Sequence, residues 1–498
     1  MKRKVVLLLT ALFIFFSNFA QNINQYGAPK KIIVAGKIDN FDPNKEVILA
    51  VNRIGFSQEK VQVKADSVGN FKTTFESYIP LDAWIRYNNY QANFLVMLHP
   101  GDSLFVHFDG KRQRSGNKMF NTILFSGDAA KTNQYASKFQ QMYYSMYGES
   151  PKKFKAIQKY NTDQYIEYLD NKLQKSQKIF NKFVTKHQPD DESKKWAQLY
   201  IECDYYGKLG FVDIRRNVNN PGKNTEPKGI SERLFNRLPI DTSMFISSYA
   251  LSMFSNSFSF VYPYEKMYDI LTNRETVISG NNRDSIRIFH IVEFTRDPLL
   301  RQIALTEIFS KELDFFRIEN YKRFYDLVNT HIKEPFLKEP LHQKYIQIKP
   351  SIENPQTNPE AIIKEVADLS INQIMDEILQ QNKDKAIYVD FWATWCGPCL
   401  AEFPNSIKLE HELKDKDVSF VYICLESEEK QYKAILDKFQ LAGQHYLLSS
   451  KQSAEIRNHF GISGIPFYLL IDKKGVIMEK GSHLRPLYIK EKINNLNR

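Results

Sequence analysis

Lys385-Ala-Ile-Tyr-Val-Asp390-Phe-Trp-Ala-Thr-Trp395-Cys-Gly-Pro-Cys399 is the stretch on which the reading of the C-terminal region turns. Its first half is an apolar run interrupted by a single acid, the pattern of a strand buried on both faces. The run leads directly into Cys396, where a helix is predicted to begin.

A thiol at the start of a helix sits among unpaired backbone N–H groups, which favour negative charge, so Cys396 is the expected nucleophile in its thiolate form. Cys399 lies one helical turn on and can attack a mixed disulfide formed at Cys396, which makes it the resolving thiol. A CxxC can also be half of a zinc site. That would need a second ligand pair, and His411, His445, His459 and His483 show no paired spacing, so no metal is expected. No cofactor is expected beyond the cysteine pair itself. Asp390 stands out within the apolar strand because a buried carboxylate is costly unless it is functional or satisfied by backbone donors. Trp392 and Trp395 are expected to cover the disulfide and give a partner something to dock on. Cys424, at the end of the apolar run Val418–Cys424, reads as a core thiol.

Val389-Asp-Phe-Trp-Ala-Thr-Trp-Cys-Gly-Pro-Cys399 resembles the active-site signature of thioredoxins, particularly the exported TlpA-like thiol–disulfide oxidoreductases. Cys399-Leu-Ala-Glu402-Phe-Pro404 is similar to the helix start of that group, with Pro404 placed to kink the active-site helix. Gly464-Ile-Pro466-Phe-Tyr-Leu-Leu-Ile-Asp472 resembles the family's cis-proline strand, followed by a Lys473-Lys474-Gly475 turn. The resemblance covers residues 361–498. It implies a C-terminal α/β thioredoxin fold, a cis Pro466 packed against the CxxC, and an Ile465 backbone that pairs with a substrate strand. It further makes Asp390 the proton acceptor for Cys399, and it puts Trp392, Trp395, Gly397, Pro398 and Ile465 in contact with substrate. One departure is visible: the neighbouring strand Val418–Cys424 lacks the lysine that usually pairs with this aspartate, leaving Glu402 as a candidate assistant in proton transfer. Residues 426–450 add a helix and a strand to the minimal thioredoxin pattern.

Upstream, Pro350, Pro355 and Pro359 predict a non-helical linker over 350–360. Residues 128–349 carry apolar side chains at three- and four-residue spacing, as in Tyr135, Phe139, Met142, Tyr143 and Met146, and predict a helical domain. Candidate helices are 163–186, 193–209, 247–258, 298–313 and 319–333, interrupted by the Asn/Pro/Gly-rich stretch Asn217–Glu226. The aromatic stripes can be packing or the wall of a peptide groove, and packing is the default. Cys203 reads as a buried, unreactive thiol. Residues 21–127 alternate strands with turns such as Asp42-Pro43-Asn44, Val68-Gly69-Asn70 and Pro100-Gly101-Asp102, which predicts an antiparallel β-sandwich or small barrel. The region resembles the small β domain that often precedes a thioredoxin domain in exported proteins of this type. Residues 1–20 read as a signal peptide, with Lys2, Arg3 and Lys4 before the apolar run Val5–Phe16; an uncleaved N-terminal anchor is the alternative. No Cys follows that run, which excludes a lipoprotein anchor.

The whole is therefore a multidomain α+β chain: a β-sandwich-like domain, a helical middle domain and a thioredoxin fold. Its formal charge of +11 comes from basic residues scattered among acids, which argues against nucleic-acid binding. Four cysteines in 498 residues are too few for a disulfide-built scaffold. The expected activity is periplasmic reduction of disulfides in exported proteins, with a transmembrane thiol donor restoring the dithiol. Oxidase or isomerase activity stays open. A peroxidase is disfavoured by the CxxC, and a partner-binding or assembly protein with an accessory thioredoxin domain is the reading from another class.

Overall fold

The computed structural model describes residues 27–88, 92–111, 116–145, 156–157, 159–210, 240–259 and 280–496. The expected signal peptide, Met146 and the Asn217–Glu226 stretch lie outside them. The chain forms two compact units. One runs through Lys311 and takes in Arg323–His342; the other comprises Glu312–Lys322 and Gln343–Arg498.

In the first unit, β1 (Lys30–Asp39), β4 (Asn70–Ser77), β7 (Ser103–Asp109) and β8 (Leu124–Gly127) form one sheet in the order β4-β1-β7-β8. A second sheet, in the order β3-β2-β5-β6, contains β2 (Val47–Val51), β3 (Glu59–Val63), β5 (Leu81–Tyr87) and β6 (Ala92–Leu98). Period-2 alternation turns Ile32, Val34 and Ile38 of one sheet and Leu49, Ile85 and Phe94 of the other into one shared core. Pairing is antiparallel except between β1 and β7, which run parallel. The strand β5 lacks the expected alternation because both of its faces are covered, leaving only Arg86 partly exposed.

What covers the second sheet is helical. The helix Ala130–Tyr144 lies along the free edge of β6. Gln140 accepts from the Leu95 N–H at 2.7 Å and donates to the Leu95 carbonyl at 2.9 Å, and Asn133 does the same for Met97 at 2.7 and 2.9 Å. Two side-chain amides thus stand in for a missing strand and close an edge that would otherwise be open to pairing with another chain. On β5, the fully buried Asp82 accepts from the Trp196 indole, the Ser248 hydroxyl, the Tyr249 N–H and the Asn52 amide. Burial raises its carboxyl to about 6, and those four donors pull the other way. This knot binds the sandwich to the helices Asp191–Gly210 and 248–259, which is why the region around 127 is not where the chain divides. The aromatic stripe is packing: Phe139, Phe183 and Trp196 are wholly buried and meet at ring distances of 5.4 and 5.8 Å. Cys203 is buried there, its thiol held protonated by desolvation.

Two expectations for the later helices need correction. The single helix over 319–333 is two, Glu319–Arg323 and Tyr325–His331, separated at Phe324. The expected break at Pro350 is absent, since the helix Pro335–Glu353 passes through Pro340 and Pro350, and Asn354 donates to the Pro350 carbonyl at 2.8 Å. A proline inside a helix costs about 3 kcal/mol. Burial of Phe336, Leu337, Leu341, Tyr345 and Ile352 on this helix offsets that cost. The 350–360 segment is therefore helical in its first four residues. Residues 312–322 join the second unit, where Glu319 pairs with Lys430 at 2.8 Å.

The second unit is built on the sheet β14-β13-β10-β11-β12-β9. Its strands are β9 (Ala361–Lys364), β10 (Ala386–Trp392), β11 (Val418–Cys424), β12 (Gly443–Leu447), β13 (Phe467–Ile471) and β14 (Ile477–Gly481). Strands β9 to β12 pair in parallel, and β13 and β14 are antiparallel additions. Helices Ile371–Gln381 and Ser450–Phe460 pack on one face through Ile374, Ile378, Ile456 and Phe460, against Ile387, Val389 and Phe391 of β10. The alternate residues of β10, namely Tyr388, Asp390 and Trp392, must project to the other face. This is the expected thioredoxin-like arrangement, including the helix Glu429–Phe439 and strand β12 inserted after β11.

Candidate active site

The end of β10 decides where the chemistry sits. After Trp392 the chain leaves the sheet, and Cys396 becomes the N-cap of a one-turn helix, Gly397–Leu400. The helix is then interrupted, and it resumes as Phe403–Leu413 with Pro404 in its first turn, so the expected kink is a full break. Cys396 and Cys399 are joined in a disulfide. The Cys399 N–H lies 3.2 Å from Cys396 Sγ, a backbone donor that would stabilise a thiolate at that sulfur after reduction. Both cysteines are buried, whereas Gly397 and Pro398 between them are exposed, and a Cβ built on Gly397 meets nothing within 4 Å.

The opposite wall comes from β13. Phe467 pairs with Phe391, so Pro466 lies one residue beyond that rung, at the level of Trp392 where the cysteine segment departs. The Ile465–Pro466 peptide is cis. Pro466 is buried, Ile465 is half-buried, and Ser463 and Gly464 are exposed. A third wall is the turn after β11. Ser427 accepts from the Thr394 N–H at 3.0 Å, and the Glu426 carbonyl accepts from the Trp395 indole at 3.0 Å.

The two tryptophans, predicted to act together, are separated by the fold. Trp395 is 40% exposed beside the disulfide loop and is available to a partner. Trp392 is wholly buried, edge-on to Phe403 at 5.0 Å and stacked on Tyr432 at 5.9 Å. It is a core residue with no exposed surface to offer a partner, unlike the expectation that grouped it with Trp395. The period of the strand is the reason, since Trp392 shares the inner face with Asp390.

Asp390 is 2% exposed, and its Oδ1 has no hydrogen-bond partner. The alternative of a carboxyl satisfied by backbone donors therefore does not hold for that oxygen. Burial raises its proton affinity well above the usual carboxylate range; the Glu402 anion adds to this and Arg485 opposes it. Tyr422 on β11 and Tyr468 on β13 occupy the rungs beside it. Tyr422 stands at the position where a lysine was looked for, and its hydroxyl is committed to Glu410 at 2.5 Å. The nearby cation comes instead from Arg485, ahead of the helix Pro486–Leu496, and it pairs with Glu402. Sequence reasoning missed Arg485 because it lies in a turn distant along the chain, with no motif around it. Cys424 is fully buried opposite Trp392, with its thiol pushed up to about 12 by desolvation. Among the described residues no group of three or more His, Cys, Asp or Glu could hold a metal ion.

A redoxin family model matches residues 377–488. The thioredoxin-like protein YneN of Bacillus subtilis is 30% identical over 141 residues, which span 28% of this chain and 77% of that protein. The thiol–disulfide oxidoreductase ResA of Oceanobacillus iheyensis is 29% identical over 118 residues, 22% of this chain and 60% of that protein. Among solved structures, the thioredoxin domain of a thiol–disulfide oxidoreductase from Bacteroides vulgatus is 25% identical, with a TM-score of 0.22, covering 24% of this chain and 84% of that one.

Proposed function

The chain belongs to the thioredoxin-like thiol–disulfide oxidoreductases, and from that premise we propose that its Cys396–Cys399 pair reduces disulfides of exported proteins outside the cytoplasm. The observation that carries this reading is a disulfide-bonded pair of buried cysteines bridged by the exposed Gly397-Pro398, at the level of Pro466 just before the neighbouring strand β13. In the reduced enzyme the Cys396 thiolate attacks one sulfur of the partner's disulfide, and the other sulfur leaves as a thiolate that takes up a proton. Cys399 then gives its proton to Asp390 and attacks Cys396 Sγ. The partner's second sulfur departs with the electron pair of the broken bond. That departing thiolate is protonated in turn, by water or by Asp390, which returns to its carboxylate form; two electrons and two protons have then passed to the partner, and the enzyme is left with the Cys396–Cys399 disulfide.

The segment Ser463–Ile465, exposed at Ser463 and Gly464 and leading into β13, is the natural place for a partner to add its own backbone, with Trp395, Gly397 and Pro398 as the facing surface. A membrane-held thiol donor would return the enzyme to its reduced form. Export is favoured by the basic and then apolar start of the sequence. No helix among the described residues is long and apolar enough to cross a membrane.

The direction of electron flow is tested by equilibrating the full chain with dithiothreitol or glutathione buffers. Because Cys203 and Cys424 are buried, the equilibrium reports on the active pair. A midpoint near about −270 mV is expected for a reductase; one near about −120 mV would make the protein an oxidant and overturn the reading.

A further inference from the structure

Two contacts that the dithiol chemistry above does not use place Arg485 at the active site, one to the strand β10 and one to the helix break at Glu402. The Tyr388 hydroxyl, on the same face of β10 as Asp390, donates to the carbonyl of the buried Leu484 at 2.5 Å. That bond fixes the turn that carries Arg485. The guanidinium then reaches Glu402 Oε1, and the other carboxylate oxygen of Glu402 accepts from the Asn405 amide at 3.0 Å. Glu402 is thus held at both oxygens, with its side chain only 13% exposed.

The groups that face Asp390 can be named element by element. Tyr388 lies on its own strand, Tyr422 on β11, Tyr468 on β13, Glu402 in the helix break and Arg485 in the last turn. Two of the three phenols are engaged elsewhere, Tyr388 with Leu484 and Tyr422 with Glu410, while the Tyr468 hydroxyl has no partner. His445 stacks on the far side of Tyr422 at 5.0 Å and is kept neutral by burial. The charges acting on Asp390 are therefore the Glu402 anion and the Arg485 cation, in opposite senses.

We propose that Arg485 is a positioning residue for thiol–disulfide exchange: it holds Glu402 and offsets its charge, and so sets the pH range in which Asp390 accepts the Cys399 proton. The inference rests on the reading of Asp390 as that acceptor. In the resolving step the S–H bond of Cys399 breaks and its proton goes to the Asp390 carboxylate. The freed sulfur forms the bond to Cys396 Sγ, and the partner's sulfur leaves with the electron pair of the old bond. Without Arg485, Asp390 would face an uncompensated anion and would ionise only at higher pH.

The test uses the reduced full chain and an excess of an aromatic disulfide, dithiobis-nitrobenzoate, which releases one coloured thiolate on attack by Cys396 and a second on attack by Cys399. The rate of the second release is followed from pH 5 to 10. An opposite charge close to a carboxyl shifts it by one unit or more. Because Arg485 is partly exposed, Arg485→Gln is expected to move the inflection about one unit alkaline. Below the inflection the rate should fall about tenfold, and the two profiles should converge above it. Glu402→Gln should move the inflection the other way, the double variant should lie between the two, and Arg485→Lys should recover part of the shift if Arg485→Gln folds poorly. A rate lowered by one factor at every pH, with the inflection unmoved, would show that Arg485 merely holds the terminal helix and would overturn the proposal. Absence of any second release from the unsubstituted chain would instead overturn the resolving role of Cys399 and the proposal with it.

Discussion

Asp390→Asn offers a direct view of the buried carboxyl, because its effect on stability must change with pH in a known direction. The folded protein holds the Asp390 proton more tightly than the unfolded chain does, since burial and the Glu402 anion both disfavour the charged form. Between the ordinary carboxylate value and the raised one, the native state binds one proton more than the unfolded state, so this group's contribution is intact at low pH and is lost as pH rises. The slope is about 1.4 kcal/mol per pH unit for one proton. An asparagine cannot ionise, so the variant lacks this slope. Relative to the unsubstituted protein it should gain at most about 2.7 kcal/mol between pH 5 and 7. Asp82, Glu307 and Glu410 are also raised by burial, to about 6, about 7 and about 7, but they are common to both proteins and cancel in the difference. The assay is urea unfolding of the oxidised full chain followed by tryptophan fluorescence; Trp84 and Trp196 of the first unit contribute the same signal in both proteins, so the difference between them reports on the unit that holds Trp392 and Trp395. A stability difference that stays constant from pH 5 to 8 would refute the account of Asp390 as a desolvated acid. The same variant should slow the resolving step.

Cys399→Ser should trap a stable mixed disulfide at Cys396 with a protein substrate, and Cys396→Ser should form none, as read on non-reducing gels. Trp392→Ala should cost about 3–5 kcal/mol in urea unfolding, as expected for loss of a buried indole. Trp395→Ala should cost under about 0.5 kcal/mol yet slow reduction of protein disulfides; equal stability losses for the two would contradict their separation into core and surface. Gln140→Leu should cost about 2–4 kcal/mol by leaving the Leu95 N–H and carbonyl on the β6 edge bare, and a loss below about 0.5 kcal/mol would mean that water replaces the amide without penalty. Gly397→Ala should leave stability within about 0.5 kcal/mol, because the added methyl enters open space, and any effect should be confined to partner reactions.

Much of the second unit is legible because its signals are local. An apolar run from Ala386 to Trp392 must be a covered strand, a CxxC at its end must sit at a helix start, and an Ile-Pro before a second apolar run marks the strand that returns beside it. The sandwich is legible for the same reason, through period-2 alternation, and β5 escapes because helices cover its outer face and erase that period. Pro350 shows the limit of breaker arguments: packing of the Pro335–Glu353 helix outweighs the lost hydrogen bonds.

What the amino-acid order determined by itself was therefore where the cysteine pair lies and which elements stand around it, since both depend on spacing within a few residues. Tertiary structure alone decided which of two similar tryptophans meets solvent, which cation stands by Asp390, and how the β and helical regions join. Each of these depends on contacts between segments far apart in the chain: Trp392 with Tyr432, Glu402 with Arg485, and Asp82 with Trp196 and Ser248. Burial and charge act over distance in space, and periodicity along the chain does not encode which distant side chain will arrive there.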